Sequence, residues 1–331
     1  MTTFTRIAFG ALMAAGIAVS APGDAQAKSL RFASEAARSD TQYDGAKKFD
    51  ELLQEKTGGE LSLKIFTDGT LGNGQAAITG TRGSTIDMFV TGSSNLSGLE
   101  PLIGMLDIPF LFENTEHAYA VLDGPVGQEL LDKLDAVGLK GLAFWDNGWR
   151  QMTNSVHPIH TPDDVKGLKI RTTPAPVHIQ AFELLGANPV PMPLGELYTA
   201  LEMGTVDAQE HPLGVYMSAK LYEVQDYVTL SYHAYSPLIV AMNKGKFDAL
   251  PPEQQTALIE AAREAGIYQR SLNNEAIASQ VAELKEMGYE VVEEIDQAPF
   301  VEITSQVSGD FAARNGGEEL LEAIAAARSD H

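Results

Sequence analysis

The sequence predicts an α/β fold in which helices cover a mainly parallel sheet. Two observations carry this. Short β-rich runs alternate with helical runs from residue 29 onward, the pattern of strands joined by helical crossovers. A helical stripe then follows Pro251-Pro252 through Leu258, Ala261, Ala265, Tyr268, Leu272, Ala276 and Leu284. At ~1.5 Å per residue its roughly 35 residues make a helix of about 50 Å, longer than one small domain is wide. Such a helix is expected to cross two domains and tie them together, with a kink near Gly266 or Asn273-Asn274.

The elements follow in order. Residues 29–34 read as a strand. Residues 43–56 carry apolar positions at 43, 46, 49, 52 and 53, a helical stripe ended by Gly58-Gly59. Residues 61–66 (LSLKIF) alternate as a strand, 75–83 read as a helix and 85–91 as a strand. A helix is expected at 127–137, and strands of the buried type at 141–145 (GLAFW) and 168–172 (LKIRT). Helices at 177–185 and 195–203 follow, then one or two strands within 227–243, and the long helix from 251 to 287.

Composition narrows the function. The 331 residues are 44% hydrophobic and 21% charged, with 45 acidic against 23 basic residues and a net charge of -22. A chain this acidic is a poor partner for nucleic acid or an anionic membrane, both of which are bound by neutralising phosphate. Cysteine is absent. That excludes disulfides, thiol nucleophiles, thiolate metal sites and a lipidated N-terminal cysteine. Arg6, the uncharged apolar run 7–19 (IAFGALMAAGIAV) and Ala25-Gln26-Ala27 form a secretory signal, with cleavage expected after Ala27. The apolar run is shorter than the roughly 20 residues a membrane span needs.

Motifs of catalysis are weak. Gly72-Asn73-Gly74-Gln75-Ala76-Ala77 matches G-x-G-x-x-A but stands too far from the preceding strand for a dinucleotide site; it reads as a loop turning into a helix. His157 and His160 are separated by Pro158, which forbids a regular helix there, and no calcium-loop or G-x-S-x-G pattern exists. Glu196, Glu202, Asp207 and Glu210 read as a solvated acidic face with a cap. No cofactor, metal or enzyme activity is expected.

Two arginines stand out. Arg171 ends the apolar strand LKIR, and Arg150 follows GLAFW through Asp146-Asn147-Gly148-Trp149. Ligands of α/β sheets collect outside the carboxyl ends of strands, and a guanidinium fork matches a carboxylate with two parallel hydrogen bonds. The alternative is that each arginine pairs with an internal Asp or Glu.

Four ordered segments resemble a known family. They are residues 145–154 (WDNGWRQMTN), 166–171 (KGLKIR), 193–202 (PLGELYTALE) and 206–212 (VDAQEHP). Together with Thr57-Gly58-Gly59 and Leu71-Gly72, they are similar to the substrate-binding proteins of tripartite ATP-independent periplasmic (TRAP) transporters, in the dicarboxylate and sialic-acid branch. The resemblance implies a two-lobed periplasmic clamshell with a long helix spanning both lobes. Lobe I would hold 28–147 and 237–276, lobe II 148–236 and 277–331. It implies a monomer that captures an organic acid and delivers it to TRAP permease membrane subunits.

The resemblance assigns Arg171 to the substrate carboxylate and Arg150 to the same anion or a nearby oxygen. His211 stands where the family usually has asparagine, so a different substrate group is expected there, and affinity is expected to vary with pH between about 5 and 8. Ser93, Ser94 and Asn95 follow a strand where first-lobe ligand residues lie. Asn95 replaces the arginine of sialic-acid binders, which argues against sialic acid. Glu35 and Asn73 lie on first-lobe loops near the cleft. Trp145, Trp149 and Tyr235 are expected to wall it, with Leu194 packing against the ligand. A polyhydroxylated monocarboxylate such as a uronate or aldonate is the first expectation. A four-carbon dicarboxylate or keto acid is the rival, and a sensing module or periplasmic enzyme stands behind both.

Overall fold

The structure, a computed structural model, describes Thr2 and residues 28–328. The expected signal segment and its cleavage point lie outside the described residues. The chain runs β1 (Lys28–Ser34), α1 (Thr41–Lys56), β2 (Leu61–Phe66), α2 (Gly74–Arg82), β3 (Met88–Gly92), α3 (Thr115–Asp123), α4 (Pro125–Lys133) and β4 (Leu139–Asn154). It continues β5 (Lys169–Thr172), α5 (Pro176–Leu184), β6 (Asn188–Pro191), α6 (Leu194–Glu202), β7 (Ala208–Pro212), α7 (Leu213–Ser218), β8 (Tyr227–Asn243), α8 (Lys244–Asp248) and α9 (Pro252–Glu286). The strand β9 (Glu290–Val292) and helices α10 (Ala298–Thr304), α11 (Gln306–Asn315) and α12 (Glu318–Ala326) complete it.

Local chemistry starts the helices. The Asp40 side chain accepts the Gln42 N–H at the head of α1, and Asn73 accepts the Ala76 N–H at the head of α2. Pro252 occupies the first turn of α9, where its missing N–H costs nothing.

The sheet order is β2-β1-β3-β8-β4-β7-β5-β6, with β9 beside β8. It is less parallel than the sequence suggests. Parallel pairs build the two flanks, β2-β1-β3 and β7-β5-β6. The centre is antiparallel, because β4 and β8 pair with each other and with β3 and β7 in opposite directions. These two strands are 16 and 17 residues long and belong to both halves of the molecule. The expected strand at 141–145 is only the first third of β4. A register shift lies between Asp146 and Gly148, and Gly148 takes φ +106° there, a conformation open to glycine.

Each half has a core on both sheet faces. Along β8, Leu238, Val240 and Met242 enter one apolar cluster while Ile239 and Ala241 enter another. Clusters around Ile170 and Phe182, and around Leu197 and Val228, serve the other half. The long helix α9 runs unbroken through Gly266 and Asn273. Its Leu258, Ala261 and Ala265 pack in the first half, and its Ile277, Val281 and Leu284 in the second. The result is a two-lobed α/β molecule bridged by one helix. The chain end crosses back: Leu320 and Ile324 of α12 join the cluster that holds Leu130 of α4, and the Ile324 carbonyl lies 2.7 Å from His117 Nε2. The segment expected wholly on the second lobe therefore also covers the first.

Candidate functional site

A cavity of about 890 Å³, solvent at its mouth included, opens between the two halves. That is large enough for a small organic ligand. It sits at the carboxyl ends of β1, β3, β5 and β7, where a sheet of this kind presents its ligand-binding loops.

Arg171 lies on β5 beside Gln209 of β7 and is buried. Its Nε and Nη2 donate to the Met192 carbonyl at 3.0 and 2.7 Å. Its Nη1 lies 3.0 and 3.3 Å from the two ring nitrogens of His211. No carboxylate pairs with it among the described residues. Burial pushes its pKa down to about 10, so it stays charged at neutral pH. A buried cation without an anion is costly, and here it faces a cavity.

His211 takes its place by strand period. It lies two residues beyond Gln209 on β7, so both point to one face. The Gln209 amide nitrogen donates to Thr153 Oγ1 at 2.7 Å, leaving its oxygen to accept from His211 Nδ1 at 3.0 Å. The imidazole therefore carries its proton on Nδ1, and Nε2 accepts from Arg171. Burial, then the charges of Arg171 and Arg150, hold its pKa well below the ordinary value. This corrects the expected titration: a neutral imidazole has no proton to gain between about pH 5 and 8. Profiles of Kd against pH are expected to have the same shape in the wild type and in His211→Asn across that range, by calorimetry. A slope that disappears in the variant would restore the titrating histidine.

Arg150 realises the alternative left open by the sequence. Its Nε and Nη2 grip the carboxylate of Glu210, the latter at 2.9 Å, and Nη2 also donates to the Glu210 carbonyl at 2.6 Å. Its Nη1 reaches Ser236 Oγ at 3.2 Å. The guanidinium still borders the cavity, with its charge balanced from behind. Glu210 is wholly buried, not part of a solvated face. The opposing charge of Arg150 holds its carboxyl well below the usual range against the penalty of burial.

The first half supplies polar groups. Glu35 follows β1 and accepts the Gly74 N–H at 3.1 Å; burial raises its carboxyl pKa. Asn95 donates to Thr91 Oγ1 at 2.8 Å. Asn73, whose oxygen caps α2, and Ser94 line the same space, and Leu194 closes it from the other half.

Four expected site residues, the ligand candidate Ser93 and the three expected wall aromatics, do not line the cavity. Ser93 is buried and turns its hydroxyl onto Asp107 Oδ1 at 2.9 Å; burial pushes the Asp107 carboxyl up to about 7. Trp149 and Tyr235 fall on the opposite sheet face from their neighbours Arg150 and Ser236, as alternation demands, and stack edge-on with centroids 5.5 Å apart. Trp145 is core. It packs on Phe32 and Phe49 and fits because Gly45 of α1 and Gly266 of α9 have no side chain; a Cβ there would stand 2.9 and 2.7 Å from the indole.

Other lining groups were missed by the sequence reading. Met192 acts through its main-chain carbonyl, which has no side-chain signature. Gln42 and Thr173 are ordinary polar residues whose only signal is position, next to a helix cap or just past a strand end, and Ser236 is one polar residue in the middle of β8. The His157 and His160 pair lies apart from the cavity, and no cluster able to hold a metal occurs among the described residues.

Residues 32–315 match the family of bacterial extracellular solute-binding proteins, family 7. The chain is 50% identical over 316 residues to the 2,3-diketo-L-gulonate-binding periplasmic protein YiaO of Escherichia coli (strain K12), covering 95% of this chain and 96% of that protein. The solved TRAP periplasmic solute-binding protein of Polaromonas sp. JS666, bound to D-erythronate, superposes with a TM-score of 0.89 at 34% identity, over 91% of this chain and 99% of that one. The sugar acid binding protein of Advenella mimigardefordensis in complex with galactonate does so with 0.88 at 34%, over 92% and 99%. With fold, cavity and sequence in agreement, the chain belongs to the family 7 solute-binding proteins, the binding components of TRAP transporters.

Proposed function

We propose that this protein captures a sugar acid, an aldonate, uronate or keto-sugar acid, in the periplasm and delivers it to TRAP permease subunits without chemical change. The observation that carries the reading is Arg171, a buried guanidinium with no carboxylate partner among the described residues, in a cavity whose other wall carries the polar side chains of Gln42, Asn73, Thr91, Ser94 and Asn95 and one charged group, Glu35. The fork takes the acid, and the polar wall exchanges hydrogen bonds with hydroxyls. The relatives that bind diketogulonate, erythronate and galactonate support the same chemistry. The acting form is a monomer of residues 28–331, exported by its signal. Its lobes divide where β4 and β8 pass between the halves, at 147/148 and 236/237.

A ligand at about 1,000 times its Kd adds roughly 4 kcal/mol of stability. Thermal melts of residues 28–331, freed of co-purified ligand, are expected to rise with one or more sugar acids and stay unchanged with the matching neutral sugars. Silence across aldonates, uronates and diketogulonate, or an equal response to neutral sugars, would overturn the reading.

A further inference from the structure

The balance of charge in the cavity goes further than the class of ligand. Arg150 is neutralised by Glu210, so Arg171 is the one cation facing the cavity without a carboxylate on it, among the described residues. Glu35 lines the same space from the first half, and no cation lies within ion-pair distance of it among the described residues. Its Oε2 accepts the Gly74 N–H at the head of α2, and its Oε1 stands 3.5 Å from Asn95 Nδ2. The carboxylate is thereby aimed along the polar wall, among Asn73, Asn95 and Thr91. Arg171 and Glu35 feel each other's charge without touching.

We propose that Glu35 is the residue that restricts the site to monocarboxylates, accepting hydroxyls at the far end of the ligand and repelling a second carboxylate there. The proposal rests on the sugar-acid reading above. Arg171 of β5 and Glu35 after β1 line the cavity from opposite halves, so a ligand whose acid group sits on Arg171 turns the rest of its chain toward the wall that Glu35 occupies. A hydroxyl donates to a carboxylate; a carboxylate cannot, and like charges at a dehydrated contact are strongly disfavoured.

Galactonate and galactarate test this. They share one carbon chain and differ only in whether the far carbon is a hydroxymethyl group or a carboxylate. Calorimetry on residues 28–331 is expected to show galactonate favoured on the order of 100-fold. Glu35→Gln keeps the shape and removes the charge, and should narrow that ratio to below about tenfold, chiefly by tightening galactarate. Glu35→Ala should move the ratio the same way, and thermal melts report whether each variant is folded. Equal binding of both acids by the wild type, or an unchanged ratio in both folded variants, overturns the proposal while leaving sugar-acid capture standing. If neither acid binds but a neutral sugar does, the parent reading fails and this one falls with it.

Discussion

Arg171→Ala is expected to abolish measurable binding of the acid, and Arg171→Lys nearly so. Each charge-assisted hydrogen bond to a carboxylate contributes about 1.5–3 kcal/mol. Losing a two-bond fork therefore weakens binding by roughly 10²- to 10⁴-fold. Lysine keeps the charge but loses the fork and cannot reproduce the paired donation of Nε and Nη2 to the Met192 carbonyl. Titration calorimetry decides: a Lys variant with wild-type affinity removes Arg171 from the role. The unliganded protein should respond in the opposite sense. With no carboxylate partner to orphan among the described residues, Arg171→Met is expected to leave its stability unchanged or raised.

Glu210→Gln should behave in reverse, costing stability on the order of 3–5 kcal/mol, because it leaves the Arg150 guanidinium buried without its counterion. Urea unfolding at neutral pH measures this. Adding Arg150→Met to that variant should recover part of the loss, since the stranded charge is then gone. The pH dependence has a definite sign. The carboxyl is held below its ordinary value of 4.5 in the folded chain. The pair's contribution is therefore fully present above that value and is lost as pH falls toward the folded pKa. A change below about 1 kcal/mol would mean that Glu210 is not the structural counterion of Arg150.

What the sequence revealed and what it hid divide along one physical line. Apolar periodicity was legible: α1, β2, α2, α5, α6 and α9 fall within two residues of their expected bounds. Arg171 was legible because a charge at the end of LKIR is conspicuous. Buried polarity was not. The strand β4 continues through Arg150, Gln151, Thr153 and Asn154, all buried, past the apolar run 141–145 at which the expected strand stopped. The strand β7 (AQEHP) is buried throughout, so Glu210 passed for a surface acid. Its partner lies 60 positions away, and no local pattern links the two. Trp145 misled for the opposite reason: its neighbours Gly45 and Gly266 are far away in sequence, and only their meeting shows that the indole belongs to the core.

The two long central strands also order the assembly of the molecule. Val90 of β3 pairs with Val240, and Phe144 of β4 with Ile239. The amino-terminal half of the chain thus holds two strands whose shared neighbour is supplied some 100 to 150 positions later. Nor does the helix that covers Trp145 begin before Pro252. Neither half is therefore expected to fold on its own. Their contacts are distant along the chain, and loops of that size must close before the pairings reward them. Acquisition of the native state should be slow and cooperative across both lobes, and the nascent chain should stay open until most of it is available.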